Sequence, residues 1–472
     1  VKRAAHESNE HRAYDQALFW MIERARADAL ERSQELAMAV VALKYLVERR
    51  LSAGMTGAIP VVALRPWPDM RTQQNARHDL LMLAREIDRS FDDAAEVFGG
   101  VLLRDIDHLS APTLRAWIEI LSAMSLWNAQ TEGAPFVEWL NAQLDEGPSG
   151  RPSPEYNTPG SIARLMVSLA NVSPGDRVLD PFAGLGGLLV EAVRQSHRSR
   201  HNIQVYGQER ISSAWAWTVL RLRLFECPNA RLENSPALTA PAFRDEGKLP
   251  RFDVVLCDGP WGTTPHEVSS HSTVDAERFV YTQGGRVSTD AAVVQHVAAS
   301  LTEGGRGILL RPHGFLFRSG LEQQVRRWLV ESGLLRGVIG LPAKMLFQTS
   351  LQTSVLVLHR SSRAPADVVF IDASGIASTR RGRVELDAAA IGSIHAAIYG
   401  PAETPAASLS IGRRSAAEIA AQEYSLQPRR YVDEAIRGDR FSPDDSLATL
   451  ASMETSYRSA CDEIDIMMRR LR

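Results

Sequence analysis

A short apolar run, Arg177-Val178-Leu179, leads directly into Asp180-Pro181-Phe182-Ala183-Gly184-Leu185-Gly186-Gly187, and from there into a helical pattern between Leu188 and Gln195. A strand that turns through three glycines into a helix is compatible with few folds. Glycine lets the backbone pass close to a ligand and presents N–H groups at a helix N-terminus, the arrangement by which doubly wound α/β sheets hold nucleotide-like molecules. The surrounding chain has the matching rhythm. Strands are predicted at Asn202 to Tyr206, Phe252 to Cys257, Gly307 to Leu310, Gly337 to Ile339 and Ser354 to His359. Helical patterns lie between them at Ala214 to Phe225, Ala291 to Leu301 and Gln323 to Glu331.

At 472 residues the chain has room for more than this sheet. From Asp15 to Arg50 the residues Leu18, Met21, Ile22, Leu30, Leu36, Val40, Leu43 and Leu46 recur mostly at threes and fours with no proline or glycine, which predicts helix. Further helical patterns run from Leu80 to Ile87, Leu114 to Trp127 and Phe136 to Leu144. The stretch Gly147-Pro148-Ser149-Gly150-Arg151-Pro152 breaks both regular patterns and marks a boundary. Near the other end, Leu447, Leu450, Glu454, Tyr457, Cys461, Ile464, Met468 and Leu471 step alternately by three and four, a heptad seam that asks for a partner helix. The expected organisation is a helical N-terminal domain at 1–148, an α/β domain at 149–400 and a C-terminal helical, coiled-coil extension at 401–472.

Composition excludes several classes. No run of eighteen apolar residues could cross a bilayer, and the first residues lack the apolar core of a secretory signal, so a soluble, cytoplasmic protein without membrane association is expected. Cys227, Cys257 and Cys461 stand alone with no CxxC spacing, so neither a disulfide framework nor a metal site is expected. Lys+Arg of 53 against Asp+Glu of 56 gives no global signature of nucleic-acid binding. His296, His313, Trp215 and Trp217 read as packing residues, and Thr379 to Arg383 as a solvated hairpin.

Two further features lie at strand ends. The second strand runs into Tyr206-Gly207-Gln208-Glu209, placing a carboxylate where ribose hydroxyls are commonly held. The glycine turn begins Asp180-Pro181 and lacks the GxGxxG spacing of pyrophosphate binders, which favours S-adenosylmethionine over NAD. A later strand, Phe252 to Cys257, opens into Asp258-Gly259-Pro260-Trp261.

This order of features resembles the amino-methyltransferases, whose motif is (Asn/Asp/Ser)-Pro-Pro-(Tyr/Phe/Trp). The resemblance narrows to the methylation subunits of type I restriction-modification systems. It is carried by Glu155-Tyr156-Asn157-Thr158-Pro159 before the glycine turn, by Gly304 to Phe317, by Val338-Ile339-Gly340-Leu341-Pro342, and by Glu423-Tyr424-Ser425-Leu426 with Pro428-Arg429-Arg430-Tyr431. It extends over nearly the whole chain. The resemblance implies a Rossmann-like class I methyltransferase sheet and methyl transfer from S-adenosylmethionine to N6 of an adenine flipped out of double-stranded DNA, in a restriction-modification or phage-defence complex. The implied partners are a DNA-specificity subunit and a restriction subunit.

By motif, Tyr156, Thr158, Pro159, Asp180, Pro181, Gly184, Gly186 and Gly187 line the cofactor pocket, Glu209 takes the ribose, and Asn234 lies near the cofactor's adenine ring. Asp258 and the Gly259 carbonyl accept the two N–H bonds of the target amine, Pro260 shapes the loop, and Trp261 stacks on the extruded base. Where the family has Asn-Pro-Pro-Phe or Tyr, this chain has Asp-Gly-Pro-Trp. Aspartate keeps an acceptor. Glycine keeps the carbonyl but is expected to loosen the loop by about 1 kcal/mol of backbone entropy, a loss that Gly259→Pro would reverse. Two other readings remain: a catalytically impaired cofactor- or DNA-binding scaffold whose loop has decayed, and a methyltransferase acting on RNA or on protein glutamine.

Overall fold

The central strands of this chain are apolar at consecutive positions, so both faces of the sheet they form must be covered. The computed structural model describes residues 2–28, 30, 32–52, 76–91, 96–128, 131, 133–146, 157–198, 202–227, 229–244, 248–268, 273–346, 351–361, 367–380, 383–400 and 409–432. Successive residues of each strand go to opposite sides. Val178, Val254, Leu256, Ile308, Leu310, Val355 and Val357 join one buried cluster, while Leu179, Val255, Cys257, Leu309, Leu356 and Leu358 join another.

Among the described residues five α-helices come first: α1 (Lys2–Arg26), α2 (Ser33–Ser52), α3 (Ala76–Arg89), α4 (Ala111–Ser122) and α5 (Ala134–Glu146). The single helical pattern expected from Asp15 to Arg50 is two helices, one ending at Arg26 and the next beginning at Ser33. Folding back lets Leu18, Met21 and Ile22 of α1 meet Leu36, Val40 and Leu43 of α2 in one core, which a straight rod could not do. Asp28 fixes the reversal by accepting the Ser110 N–H at 2.9 Å.

The α/β part comprises α6 (Gly160–Ala170), β1 (Arg177–Asp180), α7 (Gly187–Arg198), β2 (Gln204–Gln208), α8 (Ser212–Leu224), β3 (Arg231–Glu233) and β4 (Phe252–Cys257). It continues with β5 (Pro265–Glu267), α9 (Thr273–Arg278), β6 (Arg286–Ser288), α10 (Thr289–Ala299), β7 (Leu301–Pro312), α11 (Leu321–Glu331), β8 (Leu335–Gly340), β9 (Thr353–His359) and β10 (Val368–Asp372). A two-stranded hairpin of β11 (Ser378–Arg380) and β12 (Arg383–Glu385), then α12 (Ala388–Tyr399), β13 (Ser410–Arg414) and α13 (Ala416–Ala420), complete it.

Nine strands form one sheet in the order β13-β10-β8-β9-β7-β4-β1-β2-β3. β1 pairs in parallel with both β2 and β4, and β4 with β7. β9 runs antiparallel between β7 and β8. Helices α6, α7 and α12 cover one face, and α10 and α11 the other. This is the Rossmann-like methyltransferase sheet.

The domain limits differ from those expected at one end. The boundary placed at 400 falls inside the sheet: β13 pairs with β10 through five residues, Tyr431 stacks on Phe370 at 4.1 Å, and one compact unit extends to Tyr431. The boundary at 148 and the heptad seam from Leu447 to Leu471 lie outside the described residues. Helix α8 belongs to two neighbourhoods at once. Ala216, Trp217, Leu220 and Leu224 complete the core of the first five helices, and the buried Arg221 bonds Asn141 and Asp145 of α5 and the Leu185 carbonyl of the glycine turn, at 2.7, 2.8 and 2.8 Å. Among the described residues no helix is long and apolar enough to cross a membrane.

Candidate active site

The parallel order β2-β1-β4-β7 brings four strand ends to one edge, and the loops that follow them form the site. After β1, the Asp180 carboxylate turns back to accept the Phe182 N–H at 3.0 Å, which starts the turn. Gly184 and Gly186 then take φ of 55° and 79°, conformations that disfavour any side chain. Space is short as well: a Cβ on Gly186 would lie 2.8 Å from Thr218 Cγ2. The Thr218 hydroxyl donates to the Gly184 carbonyl at 2.8 Å, tying the turn to α8.

Glu209, at the end of β2, reaches under this turn. Its carboxylate accepts the N–H of Gly184 at 2.9 Å and that of Ile211 at 2.7 Å. Each oxygen has a lone pair left for a hydroxyl. Asn234 is exposed, donates to the Glu209 carbonyl at 2.8 Å and accepts from Ser212 at 2.8 Å, so it latches the Glu209 backbone.

The segment before α6 closes the other side. Thr158 and Pro159 are buried, with Pro159 at the N-cap of α6; Tyr156 lies outside the described residues. Thr158 Oγ1 donates to Asp258 Oδ2 at 2.8 Å, joining this segment to the loop after β4. Beside it, Asn157 donates to the carbonyls of Leu144 and Asp145, while its Oδ1 is buried without a hydrogen-bond partner among the described residues. That orphan acceptor would lie 3.4 Å from a Cβ on Gly187, so it borders the glycine turn.

Three carboxylates therefore converge. Burial pushes Asp258 up to about 6, against the Thr158 bond and the Arg311 charge that favour its ionised form. Asp180 lies well above the usual carboxylate range, first because it is buried and then because Asp258 and Glu209 are near, opposed by the Phe182 N–H. The charge on Glu209 and Asp258 suits a cation.

The loop after β4 is held by residues that the motif reading left without a role. Fully buried Arg311, at the end of β7, donates to the Gly259 carbonyl at 2.6 Å, the Pro260 carbonyl at 3.1 Å and the Leu310 carbonyl at 2.7 Å. Its charge faces Asp290 at 3.5 Å, which also pairs with Arg318 and accepts the Gly262 N–H at 3.3 Å. Pro260 is exposed, and the half-buried Trp261 donates its indole N–H to the Leu310 carbonyl at 3.3 Å. The available signal was an arginine closing the apolar run Ile308-Leu309-Leu310, where only a partnered charge is tolerated. His296 is buried in α10, and burial with the Arg278 charge holds its imidazole down to about 3. A separate cavity of about 510 Å³, between Arg177, Tyr206, Arg231, Phe243 and Arg251, lies at the opposite ends of these strands.

The N-6 DNA Methylase family model matches residues 141–439. The chain is 26% identical over 318 residues to the HindI methylase subunit of Haemophilus influenzae, covering 62% of this chain and 69% of that one. It is 25% identical over 237 residues to the MpnII methylase subunit of Mycoplasma pneumoniae, covering 48% and 44%. The match thus spans less than half the length of the second relative. The type I restriction-modification methyltransferase subunit from Streptococcus thermophilus shares the fold, with a TM-score of 0.70 over 90% of this chain and all of that one at 23% identity. With the family model covering well over half of the chain and its glycine turn and Asp258 loop both within that match, the protein is a member of the N-6 DNA methylase family.

Proposed function

We propose that this chain transfers a methyl group from S-adenosylmethionine to N6 of an adenine extruded from double-stranded DNA, as the modification subunit of a type I-like restriction-modification or phage-defence complex. The observation that carries the reading is the Thr158–Asp258 bond, which sets a carboxylate acceptor beside the glycine turn and at the mouth of a loop whose carbonyls are fixed from behind. Family membership and the named relatives, methylase subunits of type I restriction enzymes, support the same reaction.

The residues fit the cofactor. Gly184, Gly186 and Gly187 present backbone and no side chain, Glu209 has lone pairs for the ribose hydroxyls, and the orphan Asn157 Oδ1 offers an acceptor to an ammonium group. When bound, S-adenosylmethionine supplies a methyl group activated by a neighbouring sulfonium. The carboxylates of Glu209 and Asp258 favour that positive charge.

The exocyclic amine of adenine is a poor nucleophile because its lone pair is shared with the ring. Asp258 accepts one N–H and the Gly259 carbonyl accepts the other, turning the lone pair toward the methyl carbon. That carbonyl bonds Arg311 through one lone pair and keeps a second for the amine. As the new N–C bond forms and the old S–C bond breaks, N6 sheds a proton, and the Asp258 carboxylate, near 6, is positioned to take it. The Trp261 face replaces part of the stacking the base loses on leaving the duplex. A DNA-reading specificity subunit and a restriction subunit are the expected partners.

The test is incubation of the full chain, with its DNA-reading partner, with methyl-labelled cofactor and unmethylated duplex, RNA or protein. Label recovered as N6-methyladenine in DNA, and lost with Asp258→Ala, is the expected result. Label in RNA or protein alone overturns the reading.

A further inference from the structure

Gly259 stands where the amino-methyltransferase motif has proline, and its backbone gives no reason for glycine, since its φ is not positive. The reason is a neighbour. A Cβ on Gly259 would lie 2.2 Å from Cδ2, 2.7 Å from Cγ and 2.8 Å from Cε2 of Phe182. Cγ is the root of the ring, so turning the ring about its own axis does not relieve that contact.

Phe182 is itself fixed. Its N–H is held by Asp180, its ring edge meets His296 at 6.3 Å between centroids, and it packs against the buried cluster under β4 and β7. Arg311 grips Gly259 and Pro260 from the other direction through their carbonyls. Glycine between a ring and a guanidinium has little of its usual freedom.

From this contact we infer that Phe182 is a positioning residue for the target-base loop, its ring occupying the volume that a side chain at 259 would fill and so fixing the Gly259 carbonyl. The aromatic residue of the glycine turn and the missing side chain of the Asp-Gly-Pro-Trp loop form one interlock across the adjacent strands β1 and β4. The inference rests on the proposed methyl transfer, and it reverses the expectation that Gly259→Pro restores a loosened loop.

The experiment is a double-mutant cycle in the full chain with its DNA-reading partner: Gly259→Ala, Phe182→Ala and the pair, with Gly259→Pro alone and with Phe182→Ala as a second series. Alanine adds only the Cβ and leaves the N–H in place. Each single change is expected to lower the methylation rate at saturating cofactor and DNA by about tenfold or more, and each pair to recover most of that loss, in line with coupling between touching residues. Thermal midpoints of the unliganded protein are expected to follow the same pattern, with Gly259→Ala lower by a few degrees and the pair restored. Gly259→Ala or Gly259→Pro at the wild-type rate, or pairs no better than the singles in rate and in melting, overturns the interlock. If even the wild-type chain methylates no DNA, the proposed reaction fails, and the melting cycle still decides whether residues 182 and 259 are coupled.

Discussion

Two loops at the same edge of the sheet carry glycine for different reasons. In the turn after β1, Gly184 and Gly186 have φ of 55° and 79°, and the conformation itself excludes side chains. In the loop after β4, Gly259 has an ordinary backbone and is required only because Phe182 occupies the space beside it. The first requirement is local and visible in a short stretch of sequence. The second depends on a residue in another loop, and no motif that reads one loop at a time can register it.

The contrast assigns the two loops different work, and the largest effect expected from separating them is at Asp258. Replacing it with alanine removes an acceptor from the base loop and is expected to reduce methylation by about a thousandfold, the scale of losing a preorganised polar group. Calorimetric affinity for S-adenosylmethionine should change far less. A parallel collapse of cofactor binding would mean that the two loops are not functionally separable.

Gly186→Ala tests the other loop. Backbone strain together with the Thr218 contact is expected to weaken cofactor binding by about thirtyfold, measured by calorimetry. Equal losses of cofactor affinity in Gly186→Ala and Gly259→Ala would mean that the two loops do the same work.

The smallest effect is the dependence on pH. With Asp258 raised to about 6, its carboxylate is ionised above that value and protonated below it, so the rate should rise through pH 6 and level off above it. At pH 5 it should lie about tenfold below the plateau. Asp258→Asn, which keeps an acceptor oxygen, should flatten this limb. Stability has the opposite sign: because the folded-state value is raised, this group's contribution falls as pH climbs from about 4 to about 6 and is constant beyond.

Much of the sheet was legible because its strands announce themselves. Phe252 to Cys257 is a dense apolar run bounded by turn residues, and β4 has the same limits. β3 and β13 are edge strands with mixed composition, and Arg231 and Glu233 of β3 are exposed, so no apolar signal marks them. The break between α1 and α2 was hidden for a related reason: the sequence there contains neither proline nor glycine, and the tertiary core requires the break, not local propensity.

Within the site, Asp258 and the glycine turn could be read from position after a strand, and the structure brings them together with Thr158 and Glu209. Arg311 could be quoted from the sequence without its role being readable. A buried guanidinium has meaning only through Gly259, Pro260 and Asp290, which lie on other elements.

The place of α8 has a practical consequence. A minimal enzyme cut at the glycine- and proline-rich stretch after α5 would open a seam, baring Trp217 and Leu220 to water and stranding the Arg221 charge without Asn141 and Asp145. The same guanidinium holds the Leu185 carbonyl, so the damage would be passed straight to the glycine turn. The leading helices are part of the frame that holds the glycine turn, and attempts to shorten or fuse this protein should leave that joint whole.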